Sequence, residues 1–215
     1  NTSVSTPQGT GRLDSGLAGY WKLDENTGTS ASDASANGNT GTLTNSPTWS
    51  TGRIGSAVQF DGTNDYIGVA TTTAITGLSR FTVCAWVNPT DNASPFPAVF
   101  NTYDASLTDG WDIYLVNGFS GGHGIGTSYR GSGGATYIQR DAAVVTFSQW
   151  SHVCAQQDGD SQSNMRLFVN GAPVLIDSSA SFSGRISDVG NPISIGRYAD
   201  STDYYSGQID EIRVY

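Results

Sequence analysis

From residue 17 onward the chain repeats one pattern, a short apolar run closed by glycine, asparagine, aspartate or proline. Eleven such runs occur, from Leu17–Leu23 through Phe81–Val87 and Trp111–Val116 to Ile209–Tyr215. None carries a helical period, and several alternate strictly between apolar and polar residues, which is the period of a half-buried strand. Many short strands at regular spacing predict an all-β, two-sheet antiparallel sandwich of the jelly-roll type. Composition agrees: Lys22 is the only lysine, Glu25 and Glu211 are the only glutamates, and glycine numbers 27. Straight-chain helix formers are scarce and turn formers abundant. The pair Asn170-Gly171 between two runs predicts a tight hairpin, because it supplies two residues that tolerate positive φ.

Two units follow. Residues 1–16 are polar and rich in Ser, Thr, Gly, Pro and Gln, so they read as an extended or flexible arm. Residues 17–215 read as a single domain, with the last run expected to pair with the first and join the chain ends. The net charge of −9 excludes nucleic acid and anionic membrane surfaces as partners. No apolar run reaches the ~18 residues of a membrane span, so direct membrane insertion is not expected. The chain starts at Asn1 without a signal sequence and is expected to be soluble and a processed or excised piece.

Cys84 and Cys154 permit one internal pairing. Alternation puts Cys84 on the face of Trp86, and Cys154 on the face of Trp150 and His152. If those strands are neighbours a cross-strand disulfide forms; otherwise both are buried thiols acting as small hydrophobes. A disulfide would imply an oxidising compartment.

Seven segments, in order, carry a resemblance: GYWKLDENTG (19–28), DASANGNTGTL (33–43), AVQFDGTNDY (57–66), FTVCAWV (81–87), WSHVC (150–154), LFVNG (167–171) and GQIDEIRVY (207–215). The chain resembles the laminin-G-like jelly rolls of the concanavalin A-like lectin/glucanase superfamily, over almost its whole length after residue 17. That resemblance implies an extracellular or cell-surface protein and a role as lectin, enzyme accessory module, adhesin or spacer. The two cysteine strands are also similar to those of pentraxins, and this implies the Cys84–Cys154 bond. The pentraxin pattern of paired calcium ligands is not clearly present, so its ligand is not carried over.

Related jelly rolls often hold a structural Ca2+ between an N-terminal loop and an acid on the last strand. The expected ligands here are Asp33, Asn37, Asn39 and Thr42 with Asp210, since calcium takes six to eight oxygens and Asx- and Gly-rich loops offer them. Asp61 and Asp65 read as turn residues. Residues 101–140 read as long glycine-rich loops and the preferred glycan groove, with Tyr103, Asp104, Trp111, Tyr129 and Arg130 as ligand-binding candidates. Trp111 also opens an alternating run and so competes for a core position. A second acidic, aromatic loop adds Asp200, Asp203 and Tyr204.

Catalysis is not expected. Glycoside hydrolysis usually needs two positioned carboxylates, and the two glutamates lie near opposite chain ends. His152 reads as packed on its strand, and His123 has no evident nucleophile beside it. The expected function is a non-catalytic, calcium-stabilised carbohydrate-binding or adhesive module, whose partner is a glycan or another extracellular protein. The alternative is a structural subunit or spacer that self-assembles through the arm.

Overall fold

A computed structural model describes residues 15–215, apart from 73, 92–93, 132–133, 160, 181–187 and 200–201. The predicted arm (1–16) lies almost wholly outside the described residues, as does Asp200. Two antiparallel sheets face each other. The strands are β1 (Gly19–Trp21), β2 (Ser30–Ala31), β3 (Gly41–Thr44), β4 (Thr48–Thr51), β5 (Ser56–Asp61), β6 (Tyr66–Val69), β7 (Arg80–Pro89), β8 (Ala98–Asn101) and β9 (Gly110–Phe119). They continue with β10 (Gly122–Gly131), β11 (Gly134–Thr146), β12 (Ser151–Asp158), β13 (Met165–Val169), β14 (Ala172–Pro173), β15 (Ser178–Ala180), β16 (Ile193–Ile195) and β17 (Ser206–Val214). The first sheet runs β14-β13-β12-β7-β17-β5-β4 with β1 also on β17; the second runs β15-β11-β10-β9-β8-β16-β6-β3-β2.

The terminal strands close the domain as expected, with Gly19 opposite Val214 and Trp21 opposite Ile212. The core is the space between the sheets, filled by alternate residues of each strand. On β7 these are Phe81, Val83, Ala85 and Val87, and on β9 Trp111, Ile113 and Leu115, all buried. Trp111 stacks between Phe81 at 4.0 Å and Phe100 at 5.2 Å. Burying each of the larger apolar side chains among them stabilises the fold by about 1.5–3 kcal/mol.

The other residues of β7 face outward, and there Cys84 lies directly opposite Cys154 on β12. The two form a disulfide, with Trp86 and His152 ring to ring at 5.1 Å beside it. The hairpin from β13 to β14 turns on Asn170 (φ 52°) and Gly171 (φ 78°), the positive pair that a primed turn needs.

Residues 101–140 differ from expectation. They are mostly strand, because β9, β10 and β11 form the longest ladder of the second sheet. Gly122, Gly124 and Gly126 are packing devices within a strand, not loop markers. A Cβ on Gly124 would sit 2.0 Å from the Arg140 carbonyl oxygen, and one on Gly126 would sit 2.3 Å from the Tyr114 ring.

Candidate functional site

Every second residue of the β9–β11 ladder points away from the core. Register sets the rows: Asp112 lies opposite Ser128, which lies opposite Tyr137; Tyr114 lies opposite Gly126, which lies opposite Gln139. These rows floor a cleft of about 390 Å3, walled by Tyr103, Tyr198, Phe96 and Arg130. The missing side chain at Gly126 lets the Tyr114 ring lie across β10 instead of standing up from the sheet. Its hydroxyl reaches β11 and donates to Gln139 Oε1 at 3.0 Å, while Gln139 Nε2 donates to Asp141 Oδ1 at 2.5 Å. Phe96 packs edge-on against this ring at 5.7 Å and is 43 % exposed.

Next to that platform lies a polar chain. The Ser128 N–H and hydroxyl both donate to Asp112 Oδ1, at 2.8 and 2.9 Å, and Ser128 Oγ shares a 2.8 Å bond with the Tyr103 hydroxyl. Burial pushes the Asp112 carboxyl up to about 7, although the two Ser128 bonds oppose the shift. Tyr103 rises well above a normal phenol, from burial and then from the Asp112 charge. Arg130 Nη1 donates to the Leu107 carbonyl at 2.5 Å, which anchors the guanidinium at the rim. The result is a concave surface with one aromatic platform and a row of hydroxyl, amide and carboxyl groups. Sugars present the complementary chemistry, apolar C–H faces with hydroxyls at their edges.

Of the predicted ligand residues, Tyr103 and Arg130 line this cleft. Trp111 and Tyr129 do not. Both are essentially fully buried on the core side, because they share the inward phase of β9 and β10. Asp104 closes its own turn, accepting from the Thr108 N–H at 2.8 Å and hydroxyl at 3.0 Å. Asp203 is buried and accepts from Ser94 Oγ at 2.6 Å and the Phe96 N–H at 3.3 Å, so it positions a cleft wall. Tyr204 forms a β-bridge with Arg197. Sequence reasoning missed Asp112, Tyr114, Ser128, Tyr137, Gln139 and Phe96. The signal for the first two was present, since the alternation that sends Trp111, Ile113 and Leu115 inward sends Asp112 and Tyr114 outward.

The five expected calcium ligands do not fit one ion. Asp33 spends both oxygens on donors: the Tyr20 and Ser35 N–H groups bond Oδ1 at 2.9 and 2.8 Å, and Ser35 Oγ and the Asn39 N–H bond Oδ2 at 2.7 and 2.8 Å. Burial raises its carboxyl, but these bonds outweigh that and hold it below the usual range. Asn37 and Asn39 turn their amides onto the Ala18 carbonyl at 3.0 and 2.9 Å, and Thr42 is exposed on β3. Asp210 is elsewhere. It is buried, with Oδ2 accepting from the Ile54 N–H at 2.9 Å and Oδ1 lacking any partner. Burial first, then the Glu211 and Asp24 charges, push its carboxyl up to about 6. Asp24 accepts from the Ser56 N–H at 2.9 Å in the same loop. Glycine is needed twice: a Cβ on Gly52 would sit 2.7 Å from Asp210 Oδ2, and one on Gly55 2.1 Å from Asp24 Oδ1. An unsatisfied buried oxygen beside a second carboxylate, against a loop with no room for a side chain at 52 or 55, fits an oxygen-liganded cation. Asp61 Oδ1 closes its own turn, accepting from the Thr63 and Asn64 N–H groups at 2.8 and 3.2 Å, and Asp65 Oδ2 accepts from the Asp61 N–H at 3.2 Å while its buried Oδ1 has no partner. Among the described residues the one close group of His, Cys and acid ligands is Cys84, His152 and Cys154, and its sulfurs are joined.

The architecture accords with the comparisons. Residues 61–215 match the family model Laminin_G_3, of the concanavalin A-like lectin/glucanases superfamily. The chain belongs to this family. No curated protein sequence matches it significantly. Among solved structures, this laminin-G-like chain is similar to domain 4 of an extracellular GH43 arabinanase from Geobacillus stearothermophilus, solved with arabinotriose. Identity is 19%, covering 93% of this chain and 91% of that one, with a TM-score of 0.67. It is also similar to the IT-sialidase CBM40 of Ruminococcus gnavus bound to α2,3-sialyllactose, at 17% identity over 74% of this chain and 88% of that one, TM-score 0.56. The botulinum neurotoxin serotype D binding domain matches at 15% identity and TM-score 0.62 over 94% of this chain, which spans only 48% of that one. At these identities the likeness is one of fold. No helix among the described residues is long and apolar enough to cross a membrane.

Proposed function

We propose that this chain is a non-catalytic, calcium-stabilised carbohydrate-binding module of an extracellular or cell-surface protein, with its binding site in the β9–β11 cleft. The observation that carries the reading is Tyr114 laid flat over Gly126 beside the Asp112–Ser128–Tyr103 chain. A ring face for a sugar and a set of hydroxyl-binding groups meet on rigid strands. Two structural neighbours, solved with arabinotriose and with sialyllactose, support the same class of ligand. Among the described residues Asp112 is the one carboxylate lining the cleft, whereas hydrolysis of a glycosidic bond usually takes two. The disulfide supports an oxidising compartment. The calcium in this reading is held by Asp210 and Asp24 with the main chain of the 52–55 loop, and it stabilises the junction of the chain ends.

The test is a titration of the chain with a panel of soluble polysaccharides and oligosaccharides, repeated with Tyr114→Ala and Tyr137→Ala. Binding that both substitutions weaken at least tenfold, in variants whose circular dichroism remains that of the folded sandwich, supports the reading. No binding to any glycan removes it, and release of new reducing ends from a bound polysaccharide would make the chain an enzyme.

A further inference from the structure

The charge in the cleft narrows the ligand, on the footing that the cleft is the glycan site. Asp112 lies on the cleft face, buried, and Ser128 donates twice to one of its oxygens. A second acid, Asp141, stands behind the rim, bonded to Gln139. Among the described residues the one cation lining the cleft is Arg130, and it is turned toward the Leu107 carbonyl. A sugar carboxylate entering here would meet a like charge where little water screens it, and like charges juxtaposed at an interface are strongly unfavourable. Neutral sugars meet no such barrier. Their adjacent hydroxyls can donate to Asp112, and a charged acceptor makes the stronger hydrogen bond. The Gln139 amide adds a group able to accept or donate beside the Tyr114 ring.

We propose that the cleft selects uncharged glycans, with Asp112 as the specificity-determining acceptor for sugar hydroxyls, and excludes glycans that carry a carboxylate on the bound residue. Selection of this kind works as much by the repulsion of the wrong ligand as by attraction of the right one.

Calorimetric titration at pH 8, where Asp112 is ionised, tests this with matched pairs: xylo- and arabino-oligosaccharides against glucuronoxylan fragments, galacto-oligosaccharides against oligogalacturonates, and lactose against sialyllactose. The expected result is a neutral ligand bound at least tenfold tighter than its carboxylated partner. Asp112→Asn should weaken the neutral ligand about tenfold and narrow the gap, because the amide neither repels an anion nor accepts as strongly. Wild-type preference for the carboxylated partner, in a complex that Tyr114→Ala abolishes, overturns this inference and leaves the glycan-binding reading standing. An unchanged neutral affinity in folded Asp112→Asn overturns it too. If no ligand of either kind binds, the glycan-binding reading fails, and this inference fails with it. The wild-type comparison needs no variant, so it stands even where Asp112→Asn perturbs folding.

Discussion

Replacing Asp112 by asparagine should make the protein more resistant to unfolding at alkaline pH than at acid pH, relative to wild type. The carboxyl moves from an ordinary value of 3.8 in the unfolded chain to about 7 in the folded one. The native state therefore holds more protons than the unfolded state between those values. The stability that the protonated group contributes is complete below about pH 4 and is lost as pH rises through 7. Integrating this linkage from pH 5 to pH 8 gives a loss of about 2.5 kcal/mol for wild type that the asparagine variant escapes. Asparagine keeps the size of the side chain and an acceptor for the two Ser128 bonds. Other shifted groups, the raised Asp65, Asp188 and Asp210 and the lowered His123 and His152, are common to both proteins and cancel in the difference. Urea unfolding of both chains at pH 5 and pH 8, disulfide intact, reads the effect. The gap between midpoints should open by on the order of 1 M in favour of the variant at pH 8. A gap that stays constant between the two pH values refutes the argument, because it means that Asp112 is not held in a site that resists its charge.

Three other outcomes are expected. A thermal melt with calcium should lie above one with excess chelator, and Asp210→Asn should erase the difference while Asp33→Asn leaves it in place; the opposite pattern would put the ion in the Asp33 loop. The paired change Cys84→Ser and Cys154→Ser should cost up to about 4 kcal/mol in urea unfolding, the loop entropy of a bond spanning 70 residues, and a loss near zero would show that the unfolded chain is already constrained. Gly126→Ala should lift the Tyr114 ring off the sheet and weaken glycan binding at least fivefold while the circular dichroism spectrum stays that of a β-sandwich; unaltered affinity would show that Tyr114 is no platform.

The sandwich was legible because alternation is local: a period of two in FTVCAWV fixes which face of β7 meets the core without knowledge of its partner. The pairing of Cys84 with Cys154 needed the neighbour relation of β7 and β12, which the resemblance supplied and alternation did not. Glycines misled where they were counted as loop formers. Gly122, Gly124 and Gly126 lie in a strand, where the close approach of Val145, Arg140 and Tyr114 leaves no room for a side chain. That closeness is a tertiary fact, invisible in a stretch that reads GGHGIG. Strand β11 was missed for a related reason, since RDAAVVT has no clean alternation until β10 and β15 are placed on either side of it.

Two aspartates show how the neighbours of a buried acid decide its use. Asp112 and Asp210 are both buried and both carry carboxyls displaced upward by burial. Around Asp112 stand hydroxyl and amide groups on an open face, partners that a neutral ligand can join and a second charge would disturb. Around Asp210 stand another carboxylate, a tight loop with two glycines packed onto the acids, and one carboxylate oxygen that makes no hydrogen bond. Neutral hydrogen-bond donors already engage the first acid, although they do not offset the cost of burying its charge. The second leaves a buried acceptor unsatisfied unless a proton or a cation arrives, and an unmet buried acceptor costs about 1–3 kcal/mol. The same physics therefore points one acid toward a sugar and the other toward an ion. Exchanging their proposed roles would leave a cation facing phenols and serines at Asp112, and a sugar facing a loop too close to admit it at Asp210.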